Sequence, residues 1–337
     1  MTGVKHQRRV VVQNLVLISC ALLFTLCSSA GAQQPKKLPR IGFLISGSLS
    51  STAGGVELVR QGLRELGHSE GNNIIIEYRY ADNKFDRLAD LAGELVRLKV
   101  DVIFAWAGPA VQAAKSATKT IPIVMGPNAD PVGTGLVASL ARPGGNITGV
   151  SLMGPDVAGK RLELLKEVLP KLSRVALLLH GGSLARQLFL KESQDAAQAF
   201  GIQIQPVVVK GPEELEDAFL TIVREKANAV VVQSLLLGSI GQRSRISDLA
   251  KRNGLLTISD SITFAAEGGL MSYGPNREAL WKRVPVFIHK ILKGAKSSDL
   301  PVEQPTKFEF VINLKTAKQI GVTIPPTVLA RADKVIK

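Results

Sequence analysis

Small polar side chains recur where short apolar runs of this 337-residue chain end. Such runs predict buried strands, and open α/β sheets bind ligands outside the carboxyl ends of their strands. Serine, asparagine, aspartate, histidine and tryptophan can donate or accept hydrogen bonds or stack on planar groups. The pattern predicts a cleft that binds a small molecule. Its candidate ligand-binding residues are Ser46, Ser48, Trp106, Ala107, Gly108, Asn128, Asp130, His180, Ser183, Ser234 and Asp260.

Some of these residues suggest how an amino acid could be held. The backbone N–H groups of Ala107, Gly108 and Ala110 lie at a predicted helix start, which can bind a carboxylate without a basic side chain. Asp130 could pair with an ammonium group. Trp106 could stack on a planar ligand or serve as half-buried packing. Small polar residues also form turns and helix caps, so a purely structural role stays open for each.

Sequence signatures of catalysis are missing. The chain has no G-x-G-x-x-G after a strand, no P-loop, no G-x-S-x-G and no H-E-x-x-H. His68 is predicted in a solvated turn and His289 on a helix surface, and the histidine spacing suggests no shared metal site. His180 follows a predicted strand, where it could contact the ligand or only shape a loop. We expect no enzyme activity, no cofactor and no metal.

The first 32 residues have the pattern of a secretion signal. Lys5, Arg8 and Arg9 precede a largely apolar run over residues 10–26, and an A-x-A site ends at Ala32. The run is shorter than the ~20 residues that a membrane-spanning helix needs. We expect cleavage near Ala32 and export to the periplasm.

Both cysteines of the chain, Cys20 and Cys27, lie within this signal segment. Lipoprotein anchoring through Cys20 is disfavoured because the apolar run continues past it. The mature chain would then hold no disulfide, thiolate nucleophile or cysteine-ligated zinc. Residues 33–337 are numerous enough to form two domains on hydrophobic cores alone.

The formal net charge is +14 at pH 7. Lysine and arginine mostly alternate with acidic residues over predicted helix faces, whereas nucleic-acid binders cluster their charge or carry a known motif. This pattern predicts a solvated surface and no nucleic-acid partner. A net positive field can still favour small anionic ligands.

Short apolar runs alternate with helical patterns from residue 40 onward, which is typical of parallel sheets covered by helices. The pattern then restarts, which predicts two α/β lobes. Residues 33–150 would form lobe one, with about 275–300 returning to it. Residues 151–274 would form lobe two, with 301–337 packing against it. Several crossings between the lobes would make a multi-strand hinge that can close on a ligand.

Four local features are also predicted. A strand over residues 121–125 would end at Gly126 and lead through a polar loop into a small helix. Residues 262–275 would form a return crossing between the lobes. Pro285 would kink or break a helix over residues 277–292. The carboxyl-terminal tail would end in a short helix.

Long stretches of residues 40–337 resemble the solute-binding proteins of ABC transporters, in the bacterial family that includes the tryptophan-binding TrpX-like proteins. The stretches are RIGFLISG, VRQGLRELGHSEGNNIIIEYRYADNKFDRLADLAGELV, DPVGTGLVASLARPGGNITGVS, KRLELLKEV, GGLMSYGP and LPVEQPTKFEFVINLKTAKQIGVTIPP. The resemblance implies a type I periplasmic-binding-protein fold, with two Rossmann-like lobes that close on a solute. It also implies docking on an ABC permease of the inner membrane.

The resemblance also implies an aromatic amino acid or a related small carboxylate as the solute. Two positions of lobe two depart from the family pattern. The chain has His180-Gly181 where the family usually has Asn-Pro, and Ser234-Leu235-Leu236 where it usually has Asp-Pro-Leu. We expect the protein to select its own solute at these positions.

Two other functions stay open at this point. An exported ligand-sensing module of the same fold would feed a signalling receptor instead of a permease. An α/β enzyme is disfavoured by the missing nucleophile, metal and nucleotide motifs. The expected partners are therefore a small-molecule solute and a permease, and the protein is expected to be monomeric.

Overall fold

A computed structural model describes residues 37–153, 157–238 and 240–337. The predicted signal segment, with both cysteines, lies outside the described residues. Pro39–Lys337 form one compact unit that contains two β-sheets. Among the described residues, no helix is both long and apolar enough to cross a membrane.

The first sheet has five strands in the order β2-β1-β3-β4-β5, and all its neighbouring strands are parallel. Apolar side chains cover both faces of this sheet, which explains why most of its strands are continuous apolar runs. The strands are β1 (Arg40–Ile45), β2 (Ile75–Tyr80), β3 (Val102–Trp106), β4 (Ile123–Asn128) and β5 (Ile147–Ser151).

The second sheet has seven strands in the order β12-β11-β10-β9-β8-β6-β7. All its neighbours are parallel except β10 and β11. Apolar clusters again lie on both faces. The strands are β6 (Arg174–His180), β7 (Gln203–Val209), β8 (Ala229–Val232), β9 (Leu256–Ser259), β10 (Met271–Pro275), β11 (Phe308–Asn313) and β12 (Lys334–Ile336).

Helices separate most of these strands, as parallel connections require. They are α1 (Leu49–Glu65), α2 (Leu88–Arg97), α3 (Gly108–Ala117), α4 (Ala158–Val168), α5 (Arg186–Phe200), α6 (Leu215–Arg224), α7 (Ile240–Arg252), α8 (Ile262–Ala266), α9 (Arg277–Trp281), α10 (Val284–Leu292), α11 (Leu314–Gln319) and α12 (Pro326–Leu329).

Helices α9 and α10 pack on the first sheet although they follow β10 of the second. Trp281, Val284 and Ile288 belong to the same buried cluster as Phe43 and Phe104. The chain therefore passes between the sheets after β5, after β10 and before β11. We call the first sheet with α1–α3, α9 and α10 lobe one, and the second sheet with its helices lobe two.

Backbone hydrogen bonds join two of these crossings. The N–H of Glu303 donates to the carbonyl of Gly149 at 2.9 Å, and the N–H of Ser151 donates to the carbonyl of Glu303 at 2.8 Å. Neighbouring segments that are bonded to each other must bend together. This arrangement suits a hinge between two lobes.

The polar loop after β4 differs from the sequence-based expectation. β4 continues through Gly126 and Pro127 to Asn128, with a shift in its pairing to β5 after Met125. The irregularity accommodates a proline, which cannot donate to a sheet ladder. The expected small helix is a series of turns, because the segment over residues 131–145 is dense in proline and glycine.

Two later expectations were wrong, and one was correct. Residues 262–275 form α8 and β10 of lobe two instead of a crossing, because Met271 is buried in the second sheet. The tail adds the edge strand β12 after its last helix, and three residues are too few for a clear pattern. The expected break at Pro285 is present, since α9 ends at Trp281 and Pro285 lies in the first turn of α10.

Candidate ligand-binding cleft

A cavity of about 410 Å³ lies between the two lobes. Lobe one contributes the loops that follow β1, β3 and β4, and lobe two contributes the loops that follow β6, β8 and β9. Helix α9 also lines it. Both sheets thus present the carboxyl ends of their strands to one space, whose size is within the ~300–1,000 Å³ usual for small-molecule sites.

Two polar side chains of the lobe-one wall are buried without a hydrogen-bond partner among the described residues. Ser46 follows β1 and is 3% exposed, and Asn128 ends β4 and is 6% exposed. The Ser46 Oγ and the Asn128 Nδ2 have no partner. An unpaired buried polar group destabilises a protein by roughly 1–3 kcal/mol. Both residues line the cavity, where a ligand could satisfy them.

The loop after β3 contributes backbone in an unusual conformation. Ala107 has φ 74° and ψ 153°, a region that residues other than glycine rarely adopt. It immediately precedes α3, and Ala107, Gly108 and Pro109 all line the cavity. The positive end of the α3 dipole is therefore directed at the ligand space.

Two tryptophans form the aromatic part of the cavity wall. The rings of Trp106 and Trp281 lie 4.2 Å apart between centroids at an angle of 64°. Gly55 of α1 allows this approach, because a Cβ atom there would lie only 2.7 Å from the Trp106 ring. Trp281 also meets the edge of Phe104 at 6.1 Å. The wall is therefore a fixed apolar surface that suits a planar ligand group.

The polar side chains of lobe two bond to one another. The Gln233 Oε1 accepts from the His180 N–H, and the Gln233 Nε2 donates to the Ser183 Oγ, both at 2.9 Å. Gln233 is 3% exposed, so these bonds fix it in place. The loops after β6 and β8 are thereby held together at the cavity.

A buried ion pair lies beside this network. The Arg277 Nη2 donates to the Asp260 Oδ2 at 3.0 Å, and Asp260 is 2% exposed. Burial opposes ionisation of Asp260, but Arg277, Arg161 and a hydrogen bond from Ser234 outweigh it and hold the pKa of Asp260 below its usual range. Arg277 lines the cavity, and its Nε has no partner among the described residues.

The lobes touch directly at the rim of the cavity. The Phe85 ring of lobe one lies 5.1 Å from the His180 ring of lobe two. The N–H of Gly182 donates to the His180 Nδ1 at 2.9 Å, and a Cβ atom on Gly182 would lie 2.6 Å from Phe85. Burial lowers the pKa of His180. These contacts join the two lobes beside the cavity.

Comparison with known proteins agrees with this geometry. Residues 41–336 match the family model described as ABC transporter substrate binding protein. The chain belongs to this family. It is a TrpX-like substrate-binding protein with a type I periplasmic-binding-protein fold, and it is not an enzyme.

Three relatives illustrate the similarity. A tyrosine-binding protein of Clostridioides difficile (strain R20291) is 28% identical over 260 residues, which cover 77% of this chain and 74% of the relative. A Streptococcus pneumonia ABC domain in complex with L-Trp has a TM-score of 0.79 at 28% identity, covering 88% of this chain and 100% of that one. A conserved domain protein of Vibrio cholerae has a TM-score of 0.83 at 26% identity, covering 89% and 100%.

Most of the predicted site residues line the cavity of this substrate-binding protein, and four do not. Ser48 is the N-cap of α1 and accepts from the Ser51 N–H. The Asp130 Oδ1 accepts from the Gly133 N–H at 2.8 Å in a turn, and Asp130 is not among the residues that line the cavity. His180 packs on Phe85, and Asp260 lies behind Arg277. The predicted residues that line the cavity are Ser46, Trp106, Ala107, Gly108, Asn128, Ser183 and Ser234.

Several lining residues were missed by the sequence analysis. Gln233 directly precedes Ser234 at the end of β8, so the strand-end rule could have included it. Phe85 lies in a 3-10 turn before α2, and no local pattern marks it. Arg277 and Trp281 reach the cavity only because α9 returns to lobe one, a tertiary feature that no local pattern reveals.

The structure corrects the expectation that His68 and His289 lie separately on the surface. The His68 Nε2 and the His289 Nδ1 are 2.9 Å apart, and both side chains are half-buried. Burial, His289 and Lys293 lower the pKa of His68. Within the described residues, no group of three or more histidine, cysteine or acidic side chains could hold a metal.

Proposed function

We propose that this protein captures a small solute outside the cytoplasm and delivers it to an ABC permease for import. The cavity between the lobes carries this proposal, because both lobes line it and touch at its rim. A ligand in such a space stabilises the closed form, which a permease can distinguish from the open form. Cleavage near Ala32 and release into the periplasm complete the proposal.

The best candidate solute is an aromatic amino acid or a related small carboxylate. The Trp106 and Trp281 rings supply an aromatic, apolar surface, and donors without a partner among the described residues line the same cavity. The similarity to a tyrosine-binding protein and to an L-Trp complex supports the same class. In this proposal Ser46, Asn128 and Trp106 contact the solute from lobe one.

The opposite wall would contribute Ser183 and Ser234. Ala107 and Gly108 would offer the start of α3, whereas Ser48, Asp130, His180 and Asp260 would act only by holding loops in place. The two lobes would move as bodies, with residues 33–150 and about 275–300 on one side of the hinge. Residues 151–274 and 301–337 would form the other side.

Ligand binding can be tested with residues 33–337 in a thermal-shift screen of amino acids, aromatic acids and nucleosides, followed by calorimetric titration. A ligand present at 100 times its Kd should add about 2.7 kcal/mol to the free energy of unfolding. We expect aromatic compounds that carry a carboxylate to raise the melting temperature. A shift with nucleosides or aliphatic amino acids alone would contradict the aromatic assignment.

The transport role needs a separate test. The candidate permease and its ATPase can be reconstituted in liposomes, with the binding protein added in ligand-loaded or empty form. We expect the loaded protein to stimulate ATP hydrolysis more than the empty protein. A deletion strain that keeps normal uptake but loses a ligand-dependent transcriptional response would instead support the sensing module.

A further inference from the structure

The cavity wall has few carboxylates that could pair with a positively charged group of a ligand. Among the described residues that line it, the only carboxylate is that of Glu278. Its Oε1 already lies 2.7 Å from the Lys282 Nζ, and its side chain is 63% exposed at the surface. The nearby carboxylate of Asp260 is buried and bound to Arg277. An ammonium group in the cavity would therefore meet mainly neutral oxygens.

The same wall has several groups that can donate hydrogen bonds to an anion. The Ser46 Oγ, the Asn128 Nδ2 and the Arg277 Nε have no partner among the described residues, and all three atoms can donate. An ionised carboxylate only accepts, and bonds between charged groups are the stronger kind. The unmet donors thus match a carboxylate.

Two arginines at the cavity add fixed donors that suit the same ligand group. Arg243 and Arg277 both line it. Arg243 is held by two bonds to Glu267, at 2.7 and 3.0 Å, and Arg277 is held by Asp260. Both guanidinium groups are thus fixed before the ligand arrives, so little conformational entropy is lost when they meet an anion. The start of α3 adds a partial positive charge from lobe one.

We propose that the cavity selects its ligand by the carboxylate and needs no α-ammonium group, so that aromatic carboxylic acids without an amino group are full ligands. This inference rests on the proposed function, because it assumes that the solute is a small aromatic carboxylate. The inference restricts the solute to aromatic compounds that carry a carboxylate, whether or not they also carry an amino group. Solutes such as arylpropionates bind at least as well as the matching amino acids, and arylalkylamines do not bind.

Two matched series of compounds test the inference by calorimetric titration. One is L-tyrosine, 3-(4-hydroxyphenyl)propionate and tyramine, and the other is L-tryptophan, indole-3-propionate and tryptamine. We expect the propionates to bind with a Kd equal to or below that of the amino acid. The amines should bind at least ~100-fold more weakly, since they lose about two charge-assisted hydrogen bonds.

The variant Glu278→Gln sharpens the test because its side chain is exposed and its loss should not affect folding, which the melting temperature checks. We expect it to leave every Kd unchanged within about twofold, since an exposed pair contributes little. If the amino acids bind more than tenfold tighter than the propionates, the inference is overturned. A tenfold loss of amino-acid affinity alone in Glu278→Gln would identify Glu278 as an ammonium partner and also overturn it. If none of the six compounds binds, both the aromatic solute and its selection by charge are wrong.

Discussion

The two walls of the cavity differ in how their polar groups are satisfied. On the lobe-one wall, Ser46 and Asn128 are buried with atoms that have no partner in the part of the chain that the structure describes, and Ala107 has an unfavourable backbone conformation. On the lobe-two side, Gln233 of the wall and Asp260 behind it are hydrogen-bonded to their neighbours. The buried polar atoms that still need a hydrogen-bond partner therefore lie on lobe one, whereas the named polar groups of lobe two are already bonded within the protein.

From this difference we infer different tasks for the two lobes. Unpaired donors gain more from a ligand than donors that must first give up a protein partner. Lobe one is thus suited to recognise the ligand, and lobe two is suited to close over it without rearrangement. Arg277 combines both properties, because its Nε has no partner within the described part of the chain while its Nη2 is bonded to Asp260.

The largest effect on stability should come from the ion pair of Asp260 in lobe two with Arg277. Asp260→Ala removes the carboxylate that neutralises Arg277, and breaking a buried ion pair destabilises proteins by about 3–5 kcal/mol. Urea denaturation of the empty protein measures this loss. The matched control is Glu303→Gln, which removes an exposed partner of Arg283 and should change stability by less than ~1 kcal/mol. Equal effects of the two changes would refute a special role for the buried pair.

Ser46→Ala should separate recognition from stability. Its hydroxyl has no partner among the residues that the structure describes, so the empty protein should be as stable as the wild type or slightly more stable. A hydrogen bond to a charged ligand contributes about 1.5–3 kcal/mol, so the Kd should rise at least ~10-fold. Titration and thermal unfolding provide the two readings. A stability loss with unchanged affinity would show that Ser46 is a structural residue.

Gly182→Ala should weaken ligand binding by hindering closure. The added Cβ would overlap Phe85, which can move, so we expect a penalty near the lower end of the 1–3 kcal/mol range for overpacking, or about fivefold in Kd. Adding Phe85→Ala to the same chain should restore part of the affinity, because the overlap is removed. A loss that persists in the double variant would place the effect in the Gly182 loop itself.

Acidic pH should produce the smallest effect. The pKa of His180 in the folded protein lies below its ordinary value of 6.5, so the unfolded chain takes up the proton first. The contribution of His180 to stability is thus complete above about pH 6.5 and is lost as the pH falls below that value. Melting temperatures between pH 8 and pH 5 measure it, with His180→Asn as the control. An identical pH profile in the variant would rule out His180 as the cause.

The sequence contained enough information to predict the fold and part of the cavity wall. The carboxyl ends of parallel strands lie at one edge of a sheet. This rule correctly placed Ser46, Asn128 and Ser234 on the cavity wall. Asp130 does not line the cavity, and its carboxylate accepts a bond within its own turn, a local alternative that the residue type also allows. The rule could not find Arg277, since the position of α9 depends on packing with lobe one and not on neighbouring residues.

Enclosure of the cavity by both lobes has a kinetic consequence. If a ligand leaves only when the lobes part, it must wait until Phe85 separates from His180 and Gly182. Its residence time then depends on how often the lobes part, a motion that typically takes microseconds to milliseconds, as well as on the ligand's own contacts. Any partner that holds the lobes apart would speed unloading without touching the solute.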